Sequence, residues 1–236
     1  MTLRALTPDF GAIGLLAKGV NRLQSGSLGV LDTWALVEIE YGGRPDAELR
    51  PLWNAQLLDR LAGLDHDPER LAAAAVLAEI AEDAAPPGHP APGIFLWLTD
   101  CLRRLSALPE GEDPTPELVR ALTQGLNLLG LAPTLAEQSG PGSDWFSPAG
   151  GGLLRSAIRP REHARRPSAG ALALLRRLAT APASGSESPA DASEPWDECF
   201  TILGDFLHYH MERQPRAWPL LQERRRRRRS RAHSVR

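Results

Sequence analysis

The chain has 236 residues and a net charge of −2, long enough to bury a sizeable core in one large domain or two small ones. Its two cysteines, Cys101 and Cys199, stand far apart, which excludes a disulfide framework and a zinc-finger spacing and fits a reducing compartment. No apolar run reaches the ~20 residues that cross a bilayer and no basic-then-apolar leader opens the chain, so it reads as cytoplasmic, without a membrane partner.

The near-neutral total conceals an asymmetry. Residues 155–236 hold 17 arginines and 9 acids, whereas residues 1–154 hold 10 bases and 20 acids. A basic C-terminal part on an acidic body points to a polyanion partner. The alternative is a soluble protein with a disordered basic tail.

The first elements read as strands. Residues 2–6 and 13–17 flank Thr7-Pro8-Asp9-Phe10-Gly11. In that turn proline presets φ, Asp9 can bond backbone amides and glycine accepts positive φ, so it is the expected tip of a β-hairpin. Lys18, the only lysine in the chain, ends the second strand. A Gly/Ser loop over 23–29 precedes a partly alternating strand over 30–41, a turn at 41–46 and a strand over 49–58. Trp53, Ala55 and Leu57 share one face of that last strand. Short strands joined by small turns predict a small closed or partly open barrel.

The texture becomes helical at Asp67-Pro68-Glu69, a helix N-cap followed by proline at the first helical position. Helices are expected over 71–84, 93–108 and 115–129, separated by proline-containing breaks. Residues 131–165 read as irregular, Ser168 as the N-cap of a helix through 179, and 196–213 as the last helix. Residues 181–195 are a Ser/Ala/Pro/Glu-rich linker. Residues 222–236, with six consecutive arginines and no core-forming residues, are expected to be disordered.

Five segments carry a resemblance to a known family. They are Leu6-Thr7-Pro8-Asp9-Phe10-Gly11 with Ala17-Lys18-Gly19 and Arg22; Leu31-Asp32-Thr33-Trp34 through Glu38-Ile39-Glu40-Tyr41; and Asp67-Pro68-Glu69-Arg70-Leu71 with Leu77-Ala78-Glu79. Further on come Leu128-Leu129-Gly130-Leu131-Ala132-Pro133 with Trp145-Phe146-Ser147-Pro148 and Gly150 to Leu154, and finally Phe206-Leu207-His208-Tyr209-His210-Met211-Glu212-Arg213. In order and spacing the chain resembles the RecO family of bacterial DNA-repair and recombination-mediator proteins.

The resemblance implies an α+β protein. An N-terminal OB-fold-like β-barrel (1–64) would precede a helical domain (65–221) that carries a small loop-rich lobe (131–165), with the tail 222–236 following. It implies no enzymatic activity and no cofactor. It implies binding of single- and double-stranded DNA in the nucleoid, strand annealing, and work with RecR and single-strand-binding protein to load RecA. Family members begin with one more strand and basic residues ahead of the threonine-proline turn, so the first barrel strand is expected to be missing here. Many also carry a four-cysteine zinc site around the segment that matches Trp145 to Leu154. Those flanks hold no cysteine in this chain, so no metal is expected.

An OB-fold binds single strands by tracking phosphates with basic side chains while aromatics stack on bases. Lys18 and Arg22 are the foremost candidates for phosphate contact, with Arg4 beside them. Arg155, Arg159 and Arg161, with Arg165 and Arg166, form a second basic cluster in the lobe. Phe10 at the hairpin tip suits core capping or base stacking. His208 and His210 do not share a helical face, which disfavours a metal site, and Cys101 reads as a small core residue. No phosphate-cradling loop or nucleophile motif is present. A reading from another class also fits: a helical interaction scaffold whose basic tail alone binds nucleic acid.

Overall fold

The Thr7–Gly11 turn forms as anticipated. In the computed structural model, which describes residues 1–17, 34–44, 47–136, 143–156, 164–181 and 193–234, strands β1 (Thr2–Thr7) and β2 (Gly11–Ala17) pair antiparallel around it. Thr7, rather than Asp9, braces the turn. Its Oγ1 donates to the Gly11 carbonyl at 3.0 Å and accepts from the Phe10 amide at 3.1 Å. Gly11 sits at φ +65°, and a side chain there would collide with the carbonyl of Pro86.

That collision locates the turn. The Ala12 amide donates to the Ala85 carbonyl at 2.8 Å, Gly88 to Phe10 at 2.9 Å and Ala91 to Pro8 at 2.8 Å. The hairpin tip is thus bonded to the connection between two helices, α1 (Pro68–Ala84) and α2 (Pro92–Ala107). The strands and these two helices fall in one compact unit, Met1–Glu112 with Arg216–Arg236; the other is Asp113–Pro215.

The first unit holds a four-stranded sheet of order β1-β2-β4-β3, where β3 is Leu36–Tyr41 and β4 is Arg50–Asp59. β2 and β4 run parallel, from Leu15↔Arg50 to Ala17↔Leu52, and the other pairs are antiparallel. Among the described residues the sheet is open, so of the closed or partly open barrel that was expected the closed form is not found there. The expected strand over 30–41 begins only at Leu36; residues 30–33 lie outside the described residues. β2 buries Ala12, Ile13, Leu15 and Ala17.

The helices of this unit start as the sequence implies. The Asp67 carboxylate caps α1, accepting from the Glu69 amide at 2.7 Å, with Pro68 at the first position. α1 buries Ala72, Ala73, Val76, Leu77 and Ile80, and α2 buries Trp97, Leu98, Cys101 and Leu105. Arg70, also buried, ties the start of α1 to the end of α2: its guanidinium donates to the carbonyls of Leu108, at 2.8 Å, and Pro109.

The C-terminal run departs most from expectation. Residues 218–234 are not disordered; they form helix α6 (Trp218–Ser234), antiparallel to α1. Glu79 of α1 caps its entry, accepting from the amides of Arg216 at 2.8 Å and Ala217 at 2.9 Å. Trp218, Leu221 and Arg225 are buried, and Arg228 bridges Glu69 at 2.8 Å and Asp67 at 3.3 Å. Ten residues of α1 and eleven or twelve of α6 separate the two anchors, about 15 Å and 17 Å of helix, so the spacings match. The sequence reading counted only apolar residues as core-forming, whereas this helix docks chiefly through charge.

The second unit packs α3 (Thr115–Leu128), α4 (Ala169–Thr180) and α5 (Trp196–His210) around Leu122, Leu126, Leu175, Phe200, Leu203 and Phe206. Ser168 caps α4, accepting from the Ala171 amide at 3.1 Å, as expected. The region expected to be irregular contains a β-hairpin, β5 (Ser143–Ser147) and β6 (Gly152–Ser156). Phe146 of β5 meets Phe206 of α5 edge to face, with ring centroids 5.7 Å apart. Most of the expected linker, residues 182–192, falls outside the described residues.

Candidate nucleic-acid interface

Of the bases named from sequence, Lys18, Arg22, Arg159 and Arg161 lie outside the described residues. Lys18 follows directly on Ala17, the last residue of β2. Arg4 stands on β1 and pairs with Glu82 of α1, its side chain still 64% exposed. Arg155 of β6 faces Asp144 across the hairpin, with 3.3 Å between the charges. Arg165 pairs with Asp205 and exchanges backbone hydrogen bonds with Phe146, and Arg166 lies over the Trp145 ring at 4.7 Å. The described arginines of the lobe therefore have partners, Asp144 and Trp145 within it and Asp205 on α5. Ion pairs this exposed bind loosely and leave most of the charge available.

An aromatic that sequence reasoning passed over stands out. Glu40 pairs with Asn54 and Tyr41 with Leu52, so Trp53 is the extra residue of a β-bulge. Bulges re-aim side chains, and the Trp53 indole is 71% exposed. It lies against Gly42, where any side chain would collide with the ring. A second bulge leaves Leu58 unopposed and 58% exposed. Strict alternation placed Trp53, Ala55 and Leu57 together on one face; the bulge at Trp53 takes it off that pattern, while Ala55 and Leu57 stay in regular register opposite Ile39 and Val37. The readable signal was Gly42-Gly43 after the strand-ending Tyr41, since glycine inside a strand pattern marks a bulge or a close approach.

Phe10 does not cap the core. It is 47% exposed, edge-on to Tyr41 at 6.2 Å between centroids, and the Arg50 guanidinium lies 5.6 Å from the Tyr41 ring. The strand-end region beside the β3–β4 connection thus holds Phe10, Tyr41 and Arg50, with Trp53 against Gly42. Glu38 and Glu40 are exposed on β3, so the positive charge there is local.

The two cysteines pack rather than react. Cys199 is fully buried, and burial, then Glu198 and Glu194, push its thiol up to about 12. Cys101 is buried in α2. Burial lowers His208, against the pull of Asp205. Among the described residues no helix is long and apolar enough to cross a membrane.

Comparison with known proteins decides the family. The model of the recombination protein O C-terminal region matches residues 65–219. A DNA repair protein RecO from Desulforudis audaxviator is 30% identical over 231 residues, covering 94% of this chain and 89% of that protein. One from a Synechococcus species is 30% identical over 234 residues (92% and 81%), and one from Anaeromyxobacter dehalogenans 28% over 226 residues (92% and 87%). The chain belongs to the RecO family.

The segments that carry the RecO likeness have structural duties here. Asp67 caps α1 and Glu79 caps α6. Phe146 and Phe206, from two segments sixty residues apart, meet in the core of the second unit. The RecO family model covers helices α1 to α5, and the full-length matches extend into the sheet.

Proposed function

We propose that this chain is a non-catalytic DNA-binding protein of recombinational repair. It binds single- and double-stranded DNA, anneals complementary strands and, with RecR and single-strand-binding protein, helps load RecA. The observation that carries the reading is the breadth of the likeness: relatives named as DNA repair proteins align over more than 90% of the chain, sheet included.

The sheet fits this reading. In a five-stranded OB barrel the third and fifth strands run parallel, and β1-β2-β4-β3 with its parallel β2–β4 pair is the order that strands two to five take. One more strand between β3 and β1 would close it. The β3–β4 connection is then a loop that OB-folds use for oligonucleotides, and Trp53 stands beside it as a base-stacking face. Lys18 and Arg22, continuing from β2, track phosphates, and Arg4, Arg155, Arg159 and Arg161 add to the field. Annealing needs neutralisation of two polyanions and no bond chemistry.

The test is binding of labelled single strands and duplex at ~50 and ~200 mM salt, where several phosphate contacts lower affinity steeply. Annealing of complementary strands is followed in parallel. Trp53→Ala is expected to weaken single-strand binding by about 1–3 kcal/mol and leave duplex binding nearly unchanged. Annealing equally fast with and without the protein would sink the proposal. Glu38 and Glu40 on the sheet favour the scaffold reading, which predicts that Trp53→Ala changes nothing while loss of the α6 arginines abolishes all binding.

A further inference from the structure

The arginine run divides between two duties. Arg225 and Arg228 are turned inward, one buried and the other bound to Glu69 and Asp67. Arg226 and Arg227 are exposed on the opposite face, with Arg224 on its flank. Among the described residues the side chains of Arg224 and Arg226 have no protein partner. Arg227 is held only by an exposed pair with Glu223, one turn back, at 2.7 Å. The family model stops at residue 219, before this run.

We propose that the outer face of α6 is a second DNA-binding site, which grips the phosphodiester backbone through Arg224, Arg226 and Arg227. A disordered arginine tail must give up conformational freedom when it binds. Here Glu79, the buried Trp218 and the Arg228 bridge have already fixed the helix. Its outward arginines are therefore held ready for phosphates, whose paired oxygens the planar guanidinium fork can bind bidentately. An anionic membrane is the poorer fit, because Glu223, Arg226, Arg227 and Ser230 offer no apolar face to insert. Reading sequence through base contacts is not part of the proposal, so binding is independent of sequence.

The choice of DNA as the polyanion rests on the proposed function, and the experiment separates the two. Full-length protein and the triple variant Arg224→Gln, Arg226→Gln, Arg227→Gln are titrated with single-stranded DNA, duplex DNA and phosphatidylserine vesicles across salt. Glutamine keeps helix propensity, and circular dichroism checks that α6 persists. The slope of log affinity against log salt is expected to flatten by about 3 for duplex, roughly one for each arginine replaced. Lysine at the same three positions restores it, and Glu223→Gln tightens binding about threefold by releasing Arg227. Unchanged slopes on both DNAs overturn this site while leaving the repair reading intact, whereas wild-type protein that binds neither DNA overturns both. A weakening confined to the vesicles overturns it in favour of a membrane surface.

Discussion

Helices α5 and α6 are nearly the same length and are held by opposite means. α5 buries Trp196, Cys199, Phe200, Ile202, Leu203, Phe206 and Leu207. α6 buries Trp218, Leu221 and Arg225, and relies on carboxylates at both ends: Glu79 at its entry, Glu69 and Asp67 at Arg228. An apolar stripe commits a helix to one orientation through area removed from water. Charge anchors achieve the same orientation with few residues and leave the remaining face free for a ligand. They also depend on the partner carboxylates, so the same arginine run without Glu69, Asp67 and Glu79 would have no reason to fold.

The largest effect is expected in α5. Phe206→Ala removes a ring packed against Phe146 and His210 and should cost about 3–5 kcal/mol in urea unfolding. A cost below ~1 kcal/mol would mean that apolar packing is not what fixes α5, and the contrast would fail. Next is Glu69→Ala, which removes the shorter of the Arg228 links to Glu69 and Asp67. Removal of a largely buried carboxylate partner predicts about 2 kcal/mol, discounted because Arg228 is partly exposed. Raised salt should shrink that cost, since screening weakens ion pairs and spares apolar packing. A Glu69→Ala penalty equal at low and high salt would show that α6 is held by Trp218 and Leu221 alone.

The contrast also explains what the sequence disclosed. α1 and α4 were legible to their caps, because Asp67-Pro68 and Ser168 are local signals whose partners lie within one turn. α5 was legible from its apolar spacing. α6 was not, because its partners stand on α1, far earlier in the chain. The β5–β6 hairpin was missed because its glycine-rich turn and short strands carry little periodic signal, and Phe146 is fixed by Phe206 from a distant helix. At the candidate interface, the hairpin tip was read correctly as a turn but not as a docked one: the acceptors that confine Gly11 belong to residues 85–91. Trp53 was visible as a residue and invisible as a site, since its exposure comes from a bulge that depends on the register of β3.

The smallest expected effect separates the two helices by pH. His208 of α5 is pushed down by burial, so in the folded protein it stays neutral at pH values where the unfolded chain has taken up a proton. The unfolded state then binds more protons, and stability falls as pH drops below the ordinary histidine value of about 6.5. Burial by itself would raise Glu79, but the amides of Arg216 and Ala217 and the Arg216 guanidinium outweigh it and hold the carboxyl below its usual range. Its contribution is complete above the ordinary glutamate value of about 4.3 and is lost as pH falls through the depressed folded value. Acidification should therefore loosen α5 first and the entry of α6 only later. Hydrogen exchange resolved by peptide reads both, with His208→Gln removing the first phase and Glu79→Gln the second. If α6 opened before α5, the carboxylate cap at Glu79 would not be what holds its entry.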